Sequence, residues 1–281
     1  MATISLTAQM TTNLLSLQNT AKLMGITQER LATGKKVNSA IDDPVAYFDA
    51  DAHYQLASDY ATFKNGMSEA VQTIKTATDT IESIKNLLNQ MKSLATSAKS
   101  AASQADAKNL WDQFGIIRAQ VDHLADDAMY KGVNLLQSDT LNVVFNTKGD
   151  DLEVKGFNAH ASGLSIASGS ASMWGASGTS GAVAASQLAN ISAAIAAIDD
   201  AISTLRSQAK TLASNLSIVT TRQDFTDKMI AILKVGGDNL TLADMNEEGA
   251  NMLMLQTRQA LGIQSLSMAS QSAQQVLSLF R

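Results

Sequence analysis

The feature that most constrains the fold of this chain is a long series of apolar residues spaced alternately three and four positions apart. Three stretches carry it, and its members are Phe63, Met67, Ala70, Ile74, Ala77, Ile81, Ile84, Leu88, Met91 and Ala95; Leu110, Phe114, Ile117, Val121, Leu124 and Ala128; and Leu188, Ile191, Ile195, Ile198, Ile202, Leu205, Ala209, Leu212, Leu216 and Val219, with Ile230 and Leu233 in register after two polar steps. Steps that average about 3.5 residues place side chains along one seam of an α-helix. The sequence therefore predicts a mainly α-helical fold, an elongated antiparallel bundle with coiled-coil-like packing.

Between the second and third helical stretches, the apolar period changes from that of a helix to that of a strand. Apolar and polar residues alternate over 141–145 and again over 152–154, with a glycine-containing turn at 148–151. This pattern predicts a β-hairpin. Residues 161–181 are mostly Ser, Gly, Ala and Thr, a composition typical of an exposed, loosely structured loop whose hydroxyls are either solvated or O-glycosylated. Hairpin and loop together occupy about residues 138–182.

Two short segments separate the ends of the chain from the bundle. Asp43 is placed to cap the first turn of a helix, with Pro44 at the first helical position, where its missing N–H costs nothing. The glycine pair 236–237 predicts the end of the long third helix. Thr241 and Asp244 then have the spacing of a capping box for a last helix. The two end segments begin outside these points.

The two ends are free of charged side chains over residues 1–21 and 259–280. Each also has an apolar seam, and an isolated helix of this kind is marginal in water because nothing buries its stripe. We therefore expect both ends to be largely disordered in the free chain. They should fold only against each other and against neighbouring copies, which bury their uncharged outer faces. The predicted polymerisation interface consists of Met10, Leu14, Leu17, Met24, Leu31, Leu255, Leu266, Ala273, Leu277 and Phe280.

The same two ends resemble a known family. Residues 16–43 read SLQNTAKLMGITQERLATGKKVNSAIDD, and residues 242–280 read LADMNEEGANMLMLQTRQALGIQSLSMASQSAQQVLSLF. The first is similar to a helix and R-L-(S/A)-(S/T)-G-x-(K/R)-(I/V)-N-S-A-x-D-D motif, and the second to an A-x-x-x-V-L-x-L-(L/F) tail, of bacterial flagellins. The chain thus resembles bacterial flagellin, the subunit of the flagellar filament, and most closely its alphaproteobacterial members. The motif positions are Arg30, Leu31, Gly34, Asn38, Ser39, Asp42 and Asp43.

The resemblance implies a structural subunit that assembles with itself into an extracellular helical filament for swimming motility. Residues 1–43 and 236–281 are then the two halves of an inner core domain, whose helices pair as a coiled coil in the filament. Residues 44–235 form the helical-bundle shell domain. The resemblance also implies export by the flagellar type III apparatus with a chaperone, and contacts with hook-associated junction and cap proteins.

Two details depart from the family pattern. The segment DDPVA, residues 42–46, also resembles the hook–filament junction protein, a relative that is the alternative interpretation; the C-terminal match favours flagellin. Asn89, Gln90 and Leu94 align with the segment by which an animal innate immune receptor recognises many flagellins, where the family usually has Gln-Arg at the first two positions. We expect weak or absent activation of that receptor.

Composition and motifs argue against catalysis and cofactor binding. The chain has no Cys, and its three His are far apart in sequence without a metal-ligand partner at helical spacing. Gly34 and Lys35 are followed by Lys36 where a phosphate-binding loop needs Ser or Thr. Trp111 and Trp174 are too isolated in sequence to predict a stacking platform. We expect no enzyme activity, cofactor or metal.

Charge and hydropathy argue against nucleic-acid and membrane partners. The net charge is −5, and no basic stripe favours nucleic acid or anionic lipid. No stretch approaches the roughly 18 to 20 apolar residues of a membrane span, and the first residues lack the basic and apolar regions of a secretory signal. A membrane-active coiled coil, the interpretation from another functional class, would require such a stripe or span.

Overall fold

The computed structural model describes residues 8–166, 173–176 and 180–279, with Gln9, Ala273 and residues 276–279 described by their backbone alone. In these ranges the chain forms long helices and one small antiparallel sheet. The elements are α1 (Ala8–Thr33), α2 (Pro44–Lys99), α3 (Gln104–Asp127), β1 (Thr140–Val144), β2 (Asp151–Lys155), α4 (Ala185–Thr241) and α5 (Met245–Leu279).

The chain divides into two compact units. The terminal unit consists of Met1–Ala57 together with Ala231–Arg281, and the central unit is Ser58–Ile230. The terminal unit contains α1, the start of α2, the end of α4 and all of α5. The central unit contains the rest of α2 and α4, with α3 and the hairpin.

The predicted seams of α2, α3 and α4 meet in the core of the central unit. The side chains that lie fully buried there include Met67, Ile74, Ile81, Ile84, Leu88, Met91, Phe114, Ile191 and Ile198. Helices α2 and α4 run antiparallel, because Lys64 pairs with Asp227 at 2.6 Å while Lys92, farther along α2, pairs with Asp199, nearer the start of α4. The apolar repeat therefore predicted both the helices and the faces that they bury.

The predicted β-hairpin is present. Strands β1 and β2 pair with Leu141 opposite Val154 and Val143 opposite Leu152, so the four apolar side chains share one face. Val143 and Val154 are buried in the core of the central unit. Gly149 occupies the turn with φ +87°, a left-handed conformation that glycine adopts at little cost.

The segment after the hairpin differs from its predicted state. Ala161, Leu164, Ile166 and Trp174 are buried in the central core, so the prediction of an exposed loop over 161–181 is wrong for these described residues. A few apolar side chains are enough to bury this segment, because each of them packs against the apolar core that the helices already form.

The two tryptophans, which are far apart in sequence, meet inside this core. The ring centroids of Trp111 and Trp174 are 5.0 Å apart in an edge-to-face arrangement, and Phe114 lies 4.9 Å from Trp174. Such pairs add about 0.5–1.5 kcal/mol to the burial of their area. The two tryptophans were expected to be isolated, but in the folded chain they are in contact. Since Trp174 is fully buried, the aromatic cluster serves core packing and does not offer a stacking surface for a ligand.

Helix ends confirm one prediction and correct two. Asp43 caps α2, since its Oδ1 accepts the N–H of Ala46 at 3.0 Å. The glycine pair 236–237 lies inside α4, which continues to Thr241, so the predicted helix end was wrong. The capping-box assignment to Thr241 was also wrong. Its hydroxyl donates to the Gly237 carbonyl of its own helix, and Asp244 alone caps α5 through the N–H of Asn246 at 2.8 Å.

Within the described ranges, α4 is the single helix that is long and apolar enough to cross a membrane by length and composition. An 18-residue window in it has a mean hydropathy of 1.3, although no stretch of the sequence was expected to approach a membrane span. Its residues Ile191, Ile198 and Leu205 lie in the core of the central unit. A buried core helix meets the same criterion, so the window by itself does not indicate a span.

Candidate assembly surface

Helices α1 and α5 pack against each other in the terminal unit. Early in α1, the Asn13 amide donates to the Ser265 hydroxyl at 3.3 Å. At the end of α1, Arg30 Nη1 donates to Glu248 Oε1 at 2.9 Å. Since the start of α1 meets the later part of α5 and its end meets the start of α5, the pair is antiparallel.

One close approach lies in the middle of this pair. Gly262 of α5 lies under the Leu17 side chain of α1, and a Cβ built on this glycine would come within 2.7 Å of Leu17 Cδ2. The glycine therefore provides the space into which Leu17 inserts. Close helix contacts of this kind favour residues without side chains, because any added atom pushes the helix axes apart.

The buried line between α1 and α5 is more polar than a coiled-coil seam. Thr20, Thr27 and Glu248 are only 3%, 6% and 6% exposed, among the apolar Met10 and Leu255. The hydroxyl of Thr20 donates to the Ser16 carbonyl of its own helix at 2.8 Å, which leaves its methyl group for packing. Neither threonine was predicted to be buried, because the seam was traced through apolar residues only, although positions 20, 24, 27 and 31 have the required spacing.

The residues predicted for the polymerisation interface divide into three groups in the structure. Met10 and Leu255 are buried in the α1·α5 pair, and Leu17, Met24, Leu31 and Leu266 are half-buried. Leu14 is 39% exposed. The side chains of Ala273 and Leu277, and the whole of Phe280, lie outside what the structure describes. Most of the described members thus lie towards the partner helix of the same chain.

Other apolar side chains of the terminal unit point outwards. The exposed large apolar residues of α1 are Leu14, Leu15, Leu23 and Ile26, and those of α5 are Met245, Leu253, Met254, Leu261, Ile263 and Met268. Scattered single apolar residues on a surface are ordinary, but contiguous patches mark contact sites. Few charges interrupt them: α1 contains Lys22, Glu29 and Arg30, and α5 contains Glu247, Glu248 and Arg258. The exposed faces of this pair thus carry many large apolar side chains and few charges.

Comparison with known proteins assigns the chain to a family. A family model described as the bacterial flagellin N-terminal helical region matches residues 4–140, and one described as the bacterial flagellin C-terminal helical region matches residues 195–280. The chain belongs to the bacterial flagellin family. It is therefore a filament subunit of the bacterial flagellum, a structural and non-enzymatic protein of the extracellular filament that assembles with itself.

Individual flagellins are similar along nearly the whole chain. The sequence is 30% identical to flagellin FljO of Caulobacter vibrioides, over 95% of this chain and 96% of that one. Flagellin FljK of the same organism is 29% identical, over 95% of this chain and 94% of its own. The crystal structure of Bacillus cereus flagellin superimposes with a TM-score of 0.47 and 18% identity, covering 57% of this chain and 88% of that chain.

The flagellin motif between α1 and α2 forms a turn that joins the two ends of the chain. Gly34 ends α1 at φ +71°, and its N–H donates to the Arg30 carbonyl at 2.8 Å. Its own carbonyl accepts the N–H of Ala243, and the N–H of Lys36 donates to the Thr241 carbonyl at 2.8 Å. The segment after α1 is therefore bonded through its backbone to the segment between α4 and α5.

Asp42 organises the rest of that turn. Its Oδ2 accepts the N–H of Ser39 at 2.9 Å, the N–H of Asn38 at 3.1 Å and the Ser39 hydroxyl at 3.1 Å. The N–H of Ser39 lowers the pKa of the Asp42 carboxyl most, followed by the N–H of Asn38 and the Ser39 hydroxyl, because all three stabilise the ionised form. The flagellin motif thus has a structural role in this chain, with Arg30 bound to Glu248 and Asp43 capping α2.

The segment aligned with the receptor-recognition site of flagellins lies on α2 in the central unit. Asn89 and Gln90 are exposed and Leu94 is half-buried. The side chains of Asn89 and Gln90 are both uncharged amides.

No group of three or more potential metal-binding side chains occurs among the residues that the structure describes. His160 is held by two oxygens, Asp126 Oδ1 at 2.8 Å from Nε2 and Asn158 Oδ1 at 2.9 Å from Nδ1. The His160 contact, together with the Gln137 amide, lowers the pKa of the Asp126 carboxyl. These contacts tie the segment after the hairpin to α3, which is a structural role in keeping with a flagellin.

Proposed function

We propose that the outward apolar faces of α1 and α5 are the surfaces by which this flagellin contacts neighbouring subunits in the filament. The proposal depends on one observation: both α1 and α5 expose large apolar residues and carry few charged ones. Burying a Leu or Ile side chain fully stabilises a contact by about 1.5–3 kcal/mol. The residues of the predicted interface that lie between α1 and α5 then act indirectly, by holding the pair in shape.

The domain assignment of this flagellin follows from the same proposal. Residues 1–43 and 236–281 form the inner core of the filament, and residues 44–235 form its outer shell. The grouping of Met1–Ala57 with Ala231–Arg281 into one compact unit supports a core built from both ends of the chain. The buried polar side chains of the α1·α5 seam support folding of the ends on assembly, since they reduce the apolar area that the pair buries alone.

The partners other than flagellin itself follow from the steps by which such a subunit is exported and assembled. An export chaperone covers the apolar terminal surfaces before secretion, and the flagellar type III apparatus exports the chain unfolded. Hook-associated junction and cap proteins then contact the two ends of the filament with complementary terminal helices. The exposed apolar residues of α1 and α5 support this, because such surfaces need cover in every soluble intermediate.

Deletion of residues 1–40 tests the assembly mechanism. We expect the shortened chain to keep a folded central unit and to fail to extend filament seeds, because α5 loses its partner. Leu261→Ser in the full chain should also reduce elongation, whereas Gln264→Ser, at an exposed polar position of the same helix, is the matched control. Normal filaments from the shortened chain would contradict the proposal. Abundance in sheared filaments separates flagellin from the junction protein, which is present in few copies.

The altered receptor segment gives a second test. We propose that purified monomer activates the animal innate immune receptor weakly or not at all, because Asn89 and Gln90 replace the family's Gln-Arg pair. The double variant Asn89→Gln/Gln90→Arg should increase the response in a receptor-reporter assay. A full response to the unaltered monomer would refute the proposal.

A further inference from the structure

Helix α5 has a second apolar row in addition to the line that packs on α1. Met254, Leu261 and Met268 follow one another at intervals of seven residues, and they are 51%, 67% and 55% exposed. Seven residues are close to two helical turns, so the three side chains lie on one face. The buried Leu255 and the close-packed Gly262 each follow a member of this row by one position, so the row lies about 100° around the helix from the α1 contact.

This row has the properties of a surface that packs against another helix. Its spacing is that of the a positions of a coiled coil. From Gly249 to the end of α5, the sequence contains one charged side chain, Arg258. The occupant is a helix of a second copy of this chain, since this flagellin assembles with itself and the row is exposed on the outer side of the α1·α5 pair.

Two of the three side chains in the row are thioethers. A methionine packs well in an apolar seam, but its sulfoxide is polar and chiral. The reaction requires no cofactor: a hydroperoxide transfers its terminal oxygen to a sulfur lone pair. As the S–O bond forms, the O–O bond breaks, the sulfur loses two electrons, and the peroxide leaves as water or an alcohol after proton transfer to the departing oxygen.

We propose that Met254 and Met268 form a peroxide-sensitive modification site on the seam that receives a second copy. Hydroperoxide oxidises both sulfurs in the unassembled chain, and packing against the neighbouring helix protects them in the filament. Oxidation before assembly blocks the seam, because each sulfoxide would place a polar S–O group without a partner in an apolar contact. This inference rests on the proposed function.

The test compares hydrogen peroxide treatment of unassembled chain and of filaments, with sulfoxide at each methionine measured by peptide mass spectrometry. We expect Met254 and Met268 to be oxidised readily in the unassembled chain and at least about tenfold more slowly in filaments, which corresponds to about 1.4 kcal/mol in activation free energy. Met67 and Met91, which are fully buried in the central unit, are internal controls that should resist oxidation in both states. Equal oxidation of Met254 and Met268 in the two states would overturn the proposal.

A second measurement connects oxidation to assembly. Treated chain should extend filament seeds roughly tenfold more slowly than untreated chain, as expected for an uncompensated polar group in the contact. The variant Met254→Leu/Met268→Leu, which keeps an apolar row, should assemble equally well before and after treatment. Met129→Leu, at an exposed methionine outside α1 and α5, is the matched control and should lose assembly after treatment as the unaltered chain does.

The outcomes separate this inference from the proposed function. If the Met254→Leu/Met268→Leu variant loses assembly after treatment as fully as the unaltered chain, the peroxide effect lies elsewhere and the inference is wrong alone. If an untreated chain does not extend seeds, the proposed function is contradicted and this inference falls with it.

Discussion

At the scale of single residues, Gly237 shows how a missing side chain shapes the terminal unit. A Cβ at this position would lie 2.8 Å from Cζ of the Tyr54 ring on α2. That ring is not free to move aside, because the Tyr54 hydroxyl donates to Asp238 Oδ1 at 2.7 Å. Gly236, its neighbour on the same helix, would place a Cβ 3.9 Å from the His53 ring, an ordinary contact distance.

The two glycines therefore predict opposite effects of the same substitution. Gly236→Ala should stabilise the terminal unit by about 0.5–1 kcal/mol, because alanine is the better helix former and meets no clash. Gly237→Ala has the same gain in helix propensity, but the new Cβ must displace the Tyr54 ring. Overpacking of this kind costs about 1–3 kcal/mol of stability. We expect a net loss of about 1 kcal/mol, measured by thermal unfolding followed by circular dichroism. Equal effects of the two variants would contradict this explanation.

The same glycines show where reasoning from the sequence fails. Two consecutive glycines near the end of an apolar repeat ordinarily indicate a helix end. The sequence does not show that a tyrosine more than 180 positions earlier packs on this turn, and that contact is what requires a glycine within the helix. Asp43 and Pro44 were predicted correctly because their role in capping is local and involves the next turn only.

At the scale of secondary-structure elements, the turn between α1 and α2 depends on one carboxylate. The folded pKa of Asp42 is lowered, so its stabilisation is fully present above its unfolded pKa of about 3.9 and is lost as pH falls through the folded pKa. Asp42→Asn should therefore reduce the stability of the terminal unit at neutral pH. The difference from the unaltered chain should diminish as the solution is acidified below pH about 4.

Thermal unfolding at a series of pH values measures this difference. Asp49→Asn, which removes an exposed carboxylate from the early part of α2, is the matched control for the loss of one charge. A stability difference for Asp42→Asn that persists unchanged at acid pH would show that the carboxylate is not the cause.

The elements differ in how far the sequence could predict them. The seams of α2, α3 and α4 are apolar at nearly every step, so their helices and buried faces followed from spacing alone. The α1·α5 contact was harder to predict, because Thr20, Thr27 and Glu248 occupy buried positions that a search for apolar residues skips. The buried part of the segment after the hairpin was missed for a related reason: Leu164, Ile166 and Trp174 have no period, and their burial depends on the surface that receives them.

At the scale of the whole molecule, the two units have different interiors. The central unit buries a continuous core of large aliphatic and aromatic side chains. The terminal unit buries two threonines and a glutamate on the line between α1 and α5. Since burial of apolar area is the main favourable term in folding, the central unit should be the more stable of the two.

Heating the unassembled chain should reveal this difference. Trp111 and Trp174, the two tryptophans of the sequence, both lie in the central core, so their fluorescence reports that unit alone. Circular dichroism reports the helices of both units. We expect ellipticity to decrease in two steps, with the change in tryptophan emission restricted to the second. Coincident transitions by both probes would indicate one cooperative unit and contradict the prediction.

The contact between α1 and α5 has a consequence for how an assembled filament comes apart. Besides the apolar Met10, Leu17 and Leu255, it depends on hydroxyls, the close approach at Gly262 and the Arg30–Glu248 ion pair, and the chain has no cysteine that could link the helices covalently. We therefore expect moderate warming to disassemble the filament without breaking any covalent bond. The released molecules should keep their central cores and be ready for another round of growth.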